Sequence, residues 1–183
     1  MNVIKPFKGG YFVSIIMELF MRSQTTSKSV TDKDFWEIIE NIDHEYNGDS
    51  EAVISSIVRH LKHCGDSYIF SFDDKLCELI YSLDGKKWAD EICGEEFAED
   101  KFLSARCLAV ASGMETYTKI LGHREKIDLS ELHFDNGKWY ASTDGLITAA
   151  AQAWSEKHLV SPEKYPHKPP FSLKSHSNEE MWK

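Results

Sequence analysis

The chain has 183 residues, 42% of them hydrophobic and 12% aromatic against 28% charged, which fits one globular domain and excludes a wholly disordered or membrane-embedded chain. With 21 Lys and Arg against 30 Asp and Glu, the formal net charge of -9 repels phosphate backbones and argues against direct nucleic-acid binding. The same excess of acid favours a basic partner or serves simple solubility, as is common among soluble proteins.

Residues 1–30 read as an N-terminal extension and linker, in preference to a docking helix. The apolar run "YFVSIIMELFM" follows Lys5 and Lys8 as in a secretory leader, but Glu18 interrupts it and no small-x-small cleavage site follows. It is also too short to span a bilayer. "RSQTTSKS" behind it has the composition of a linker.

A helical domain is predicted over residues 31–160. In "VTDKDFWEIIENIDHEY" Thr31 or Asp32 can cap the first turn, and Asp34 complements the positive helix end. Phe35, Ile38, Ile39, Ile42 and Tyr46 then fall on one face. "NGD" ends this helix, and Asp49 or Ser50 starts a second with Val53, Ile54, Ile57, Val58 and Leu61 as its stripe. "CGDS" precedes a third helix carrying Ile69, Phe72, Leu76, Leu79, Ile80 and Leu83. "LDG" breaks the chain again, and a short helix from Lys86 to Cys93, with Trp88 and Ile92, stops at Gly94.

A single long helix is predicted from about Glu96 to Ile120, with Gly113 inside it. In "LHFDNGKWYAST" the residues Asp135, Asn136 and Gly137 suit a hairpin turn, but the flanks are short, and the segment reads as an ordered loop. The closing helix "TDGLITAAAQAWSEKH", capped by Thr143 or Asp144, turns Leu146, Ile147, Ala150 and Trp154 inward. Residues 161–183 hold four of the five prolines, so they form an irregular tail that can dock through Phe171 and Trp182. The fold class is all-α: a compact bundle of about six helices with a Pro-rich tail.

Chemistry is scarce in this pattern. Cys64, Cys77, Cys93 and Cys107 lie 13, 16 and 14 residues apart with no CxxC pair, which reads as reduced core thiols of a cytoplasmic protein without a structural metal. No HExxH, GxSxG, GxGxxG or phosphate-loop motif occurs, so no catalytic residue and no cofactor are expected. Arg106, set among small and apolar residues, needs anionic or carbonyl partners. It either bridges to a carboxylate such as Glu99, Asp100 or one on another helix, or serves a ligand, and the former is favoured. Glu95, Glu96, Glu99 and Asp100 complement a helix start and face solvent, in preference to paired carboxylates for acid–base work or a divalent metal, and they are the expected surface for a basic partner.

Three elements in order resemble the bacterial domain of unknown function 4240 family. They are Phe35, Trp36 and Ile39 in the opening helix, then Asp100, Phe102, Arg106, Gly113 and Tyr117 along the central segment, and the alanine-rich closing helix from Ala149 to Trp154. Leu108 stands where the family tends to have tryptophan, and His123 and Arg124 where it tends to have Asp-Pro. The resemblance implies a small helical domain in which the arginine recurs as a packing element, and it implies no activity.

The expected function is therefore interaction: an immunity or inhibitor protein that neutralises a basic partner such as a toxin nuclease. The alternatives are a small-ligand binder or enzyme built on Arg106 and nearby acids, or an accessory regulatory subunit. Neither a membrane nor nucleic acid is an expected partner.

Overall fold

Local signals set the helix boundaries from Val30 onward, and the computed structural model describes residues 29–42 and 50–183. Thr31 opens the domain. Its hydroxyl accepts the Asp34 N–H at 3.2 Å, and the Asp34 carboxylate accepts the Thr31 N–H at 3.2 Å, a reciprocal cap on α1 (Asp32–Ile39). Phe35, Trp36, Ile38 and Ile39 are buried. The helix stops at Ile39, short of the predicted end, although Ile42 still packs into the core. Tyr46, the "NGD" break and Asp49 lie outside the described residues, as do residues 1–28 of the predicted extension.

α2 (Ser50–Leu61) and α3 (Asp66–Ser82) bury the stripes that their periodicity predicts, with Ile54, Ile57, Leu61, Ile69, Phe72, Leu76, Ile80 and Leu83 wholly enclosed. α4 (Lys86–Cys93) buries Trp88 and Ile92 and ends at Gly94, whose φ of +66° is left-handed backbone.

The predicted long helix is two. α5 (Glu99–Ala111) ends at Ser112, and Gly113, at φ +86°, redirects the chain into α6 (Gly113–Leu121). A side chain at that φ would be strained, so the glycine marks a break and not a helix interior. α5 is buried on every side through nine consecutive or near-consecutive residues from Phe102 to Ala111, and packs against α3, α4, α6 and the segment that follows.

That segment corrects the second expectation. "HFDNGKWY" forms an antiparallel hairpin, β1 (His133–Asp135) with β2 (Lys138–Tyr140), turning on Asn136 at φ +51° and Gly137 at φ +80°. Two adjacent positive φ angles in a two-residue turn match the twist of paired strands, so three residues on each side suffice. A 3₁₀ turn, Ser142–Gly145, then leads into α7 (Leu146–His158). Asp144 caps that turn, accepting the Ala141 N–H at 3.0 Å, in place of the helix itself. α7 packs its Leu146, Ala149, Ala150 and Ala153 against α2 and α3; Ile147 and Trp154 are only partly covered. The architecture is a mostly helical bundle of seven α-helices among the described residues, with one small hairpin.

Residues 161–183 follow the surface after a short 3₁₀ turn at Pro162–Lys164, and none of them is buried. Phe171 does rest on Tyr81, their ring centroids 5.3 Å apart, and Trp182 packs on Phe102. No helix of the described residues is long and apolar enough to cross a membrane.

Candidate functional site

Arg106 is fully enclosed by α5 and its neighbours. Its Nε donates to the Phe102 carbonyl and its Nη1 to the Ile80 carbonyl, both at 3.4 Å, while Nη2 donates to the Leu173 carbonyl of the tail at 3.0 Å. The guanidinium also lies 4.5 Å from the centre of the Phe102 ring. Burial pulls its pKa below the ordinary value, and the attraction of Asp84 opposes that fall. The expected carboxylate bridge to Glu99 or Asp100 is absent: the partners are carbonyls, and both acids bond elsewhere. α5 presents Arg106 to the end of α3, so the counter-charge comes from the "LDG" break just beyond it.

Asp84 is concealed in the sequence, where "LDG" reads as a helix breaker. It is a fully buried carboxylate. Oδ1 accepts the His176 N–H at 3.1 Å and the Trp182 indole N–H at 2.8 Å; Oδ2 accepts the N–H groups of Ser177 at 2.7 Å and Asn178 at 3.0 Å. All four donors belong to the tail.

The acidic cluster divides. Asp100, half-buried, accepts the Lys101 N–H through Oδ1 and the Trp139 N–H through Oδ2, both at 2.8 Å, and so pins β2 to the start of α5. Glu99 accepts the Ser175 N–H at 3.3 Å. Glu95 and Glu96 stay exposed on the loop before α5, beside Phe97, which is 44% exposed although its ring touches Phe102, His176 and Trp182.

Asp100, three residues beyond Phe97, fixes the hairpin to the start of α5, and the hairpin carries a second set of aromatics. Phe134 is 60% exposed and packs on Trp139, with ring centroids 5.1 Å apart, and Tyr140 pairs with His133. The Lys101 ammonium lies 4.9 Å from the Trp139 ring. The turn residues Asp135, Asn136 and Gly137 are the sequence signal for this surface, and the shortness of their flanks masks it. Replacing Asp100 with alanine is expected to release the hairpin at about 1.5–3 kcal/mol, the range for a hydrogen bond to a charged group. Hydrogen exchange should then show the Trp139 amide losing protection while the α5 amides keep theirs.

The other polar groupings are less open to a partner. Asp66 gathers the Trp154 indole, Lys157 and His158 at the end of α7, an inter-helix brace. A depression of about 300 Å³ between α2 and α7 is bordered by Glu51, Ile54, Asp144, Gly145, Thr148 and Gln152, and Asp144 there holds the Ser104 hydroxyl at 2.8 Å. Among the described residues no group of three or more His, Cys, Asp or Glu is placed to hold a metal ion. Cys64, Cys77 and Cys107 are buried free thiols, and burial pushes the first two up to about 11 and about 12.

A family described as a protein of unknown function (DUF4240) matches residues 30–156. The chain belongs to this family. The DUF4240 region begins just before the Thr31 cap and ends two residues short of the end of α7, so it contains Asp84, Arg106, the acidic loop and the hairpin, and leaves the tail outside. No curated protein and no solved structure gave a match to the chain.

Proposed function

We propose that this DUF4240 chain is a cytoplasmic protein-interaction domain, an immunity or inhibitor protein that captures a basic partner such as a toxin nuclease through the loop before α5 and the adjoining hairpin. The observation that carries the reading is the pairing of exposed aromatics, Phe97 and Phe134, with exposed acids, Glu95 and Glu96, on segments that Asp100 ties together. Aromatic side chains concentrate the affinity of protein interfaces, and flanking charge sets the rate and choice of partner. The formal charge of -9 adds long-range attraction toward a basic protein. Burial of Arg106 supports the reading from the other side, because a small-ligand or enzymatic role would rest on that guanidinium, and two of its three bonds go to carbonyls within the helices.

The partner is to be isolated by capture on the tagged chain at low salt, and its binding to purified variants then timed. Reversing both charges, Glu95→Lys with Glu96→Lys, should slow association by about tenfold at low ionic strength, the difference shrinking as salt screens it. Phe97→Ala should chiefly speed dissociation. A partner whose two rates are unchanged by all three substitutions would show that this face is not the interface.

A further inference from the structure

We infer that the cleft between the end of α3, the start of α4 and α5 is a peptide-binding groove, filled in cis by residues 173–182, and that it accepts in trans a partner segment of the same chemistry. That chemistry is legible in the contacts. Asp84 takes three successive main-chain N–H groups, from His176, Ser177 and Asn178, in a turn where His176 adopts φ +64°. Consecutive N–H groups around left-handed backbone form a nest for an anion, and here the anion is the Asp84 carboxylate. Its remaining acceptor capacity takes the indole of Trp182. Arg106 takes a main-chain carbonyl, that of Leu173, and the Lys86 N–H donates to the Met181 carbonyl at 3.0 Å. The groove therefore reads backbone at five residues before Trp182 and fixes register by one aromatic, the manner in which extended peptides are recognised.

Three features separate an exchangeable ligand from a permanent piece of core. No residue of 161–183 is buried, whereas the two groups that bind it, Asp84 and Arg106, are fully enclosed once it is in place. The floor is mixed: Phe102, on which Trp182 packs, is apolar and fully enclosed, while Asp84 and Arg106 are charges that water can solvate when the groove empties. Finally, Gly85 at the mouth of the groove has no Cβ, and one built there would stand 2.8 Å from the Met181 Cβ and 3.1 Å from its carbonyl oxygen. Its backbone is extended, at φ -154°, so conformation does not require glycine. Close approach of the peptide does. The groove lies within the DUF4240 region, and its occupant lies outside.

A cis tail competes at high effective concentration, so trans binding is revealed by weakening the latch in the full-length chain. The probe is a fluorescein-labelled peptide of residues 168–183, followed by anisotropy. Trp182→Ala should bind it saturably, at least tenfold more tightly than the wild-type chain does, and adding Asp84→Asn should abolish that gain. A folded Trp182→Ala chain that binds no peptide overturns the proposal. If Trp182→Ala does not fold, hydrogen exchange of the wild-type chain decides. Amides 176–178 exchanging while α3 and α5 remain protected support an opening groove, and exchange of all three only together overturns it.

Discussion

Arg106→Ala is expected to destabilise the chain by about 3–5 kcal/mol, because it both leaves a cavity and strands a buried opposite charge. The carbonyls of Phe102, Ile80 and Leu173 lose the guanidinium as a donor together, and Asp84 loses an attracting positive charge in an enclosed site. For a chain of this length the loss corresponds to a fall in Tm on the order of 10 °C. Arg106→Lys is expected to recover little of it. An ammonium is a single point of three donors and does not present the flat fork that reaches carbonyls on α5, the end of α3 and the tail at once. Urea denaturation followed by tryptophan fluorescence measures both variants. Coupling to Asp84 is read from a double-mutant cycle with Asp84→Asn and Arg106→Met, where the double variant should lose less than the two single losses added together. Strict additivity would mean that the two charges do not sense one another across the groove.

The sequence revealed Arg106 as a buried charge in search of partners, and concealed who they are. Helical spacing marks the stripes of α2 and α3 because each of those helices has one face in the core. It is silent for α5, which is enclosed all round and so shows no stripe, and whose apolar run continues across the break at Gly113. The partners of Arg106 are main-chain carbonyls 26 and 67 residues away in two of three cases, and carbonyls carry no residue signature. Asp84 was hidden for the opposite reason. Its local sequence explains it fully as a turn residue, and its four donors arrive from about 92 to 98 residues later. The prolines of the tail excluded a helix correctly but left extended docking unspecified, since proline restricts φ without choosing a surface. The hairpin is legible in "DNG", but its three-residue strands are shorter than a strand pattern in sequence can mark, although a positive-φ turn requires no more.

The acidic cluster shows how composition misleads about geometry. Four neighbouring carboxylates suggested one surface, yet Asp100 and Glu99 are committed to main-chain N–H groups of the hairpin and the tail. What remains outside, Glu95 and Glu96, flanks Phe97. These two committed acids do not dilute the interaction reading; they hold in place the aromatic segments on which it depends.

Asp73→Asn is expected to stabilise the chain near pH 7.5, by up to about 3 kcal/mol, and to have little effect near pH 4. Asp73 is 6% exposed on α3, where burial pushes its carboxyl up to about 6 from an ordinary 3.8. The Tyr165 hydroxyl, donating to Oδ2 at 3.1 Å, and the nearby His167 pull it back, and Asp74 adds to the rise. Between the two pKa values the folded chain holds a proton that the unfolded chain has released. The contribution of Asp73 to stability is therefore fully present below about pH 3.8 and is lost as pH rises through about 6, beyond which the fold carries an enclosed, ionised carboxylate. Asparagine removes that charge and can still accept the Tyr165 hydroxyl through its amide oxygen. Other carboxylates titrate in the same range, so the difference between the wild-type and variant unfolding free energies, measured by urea at pH 4, 5, 6 and 7.5, is the quantity to follow. It should grow with pH and level off above about 7. A variant that is less stable than the wild type by the same amount at every pH would mean that Asp73 acts through its hydrogen bond to Tyr165 alone, with no penalty for its charge.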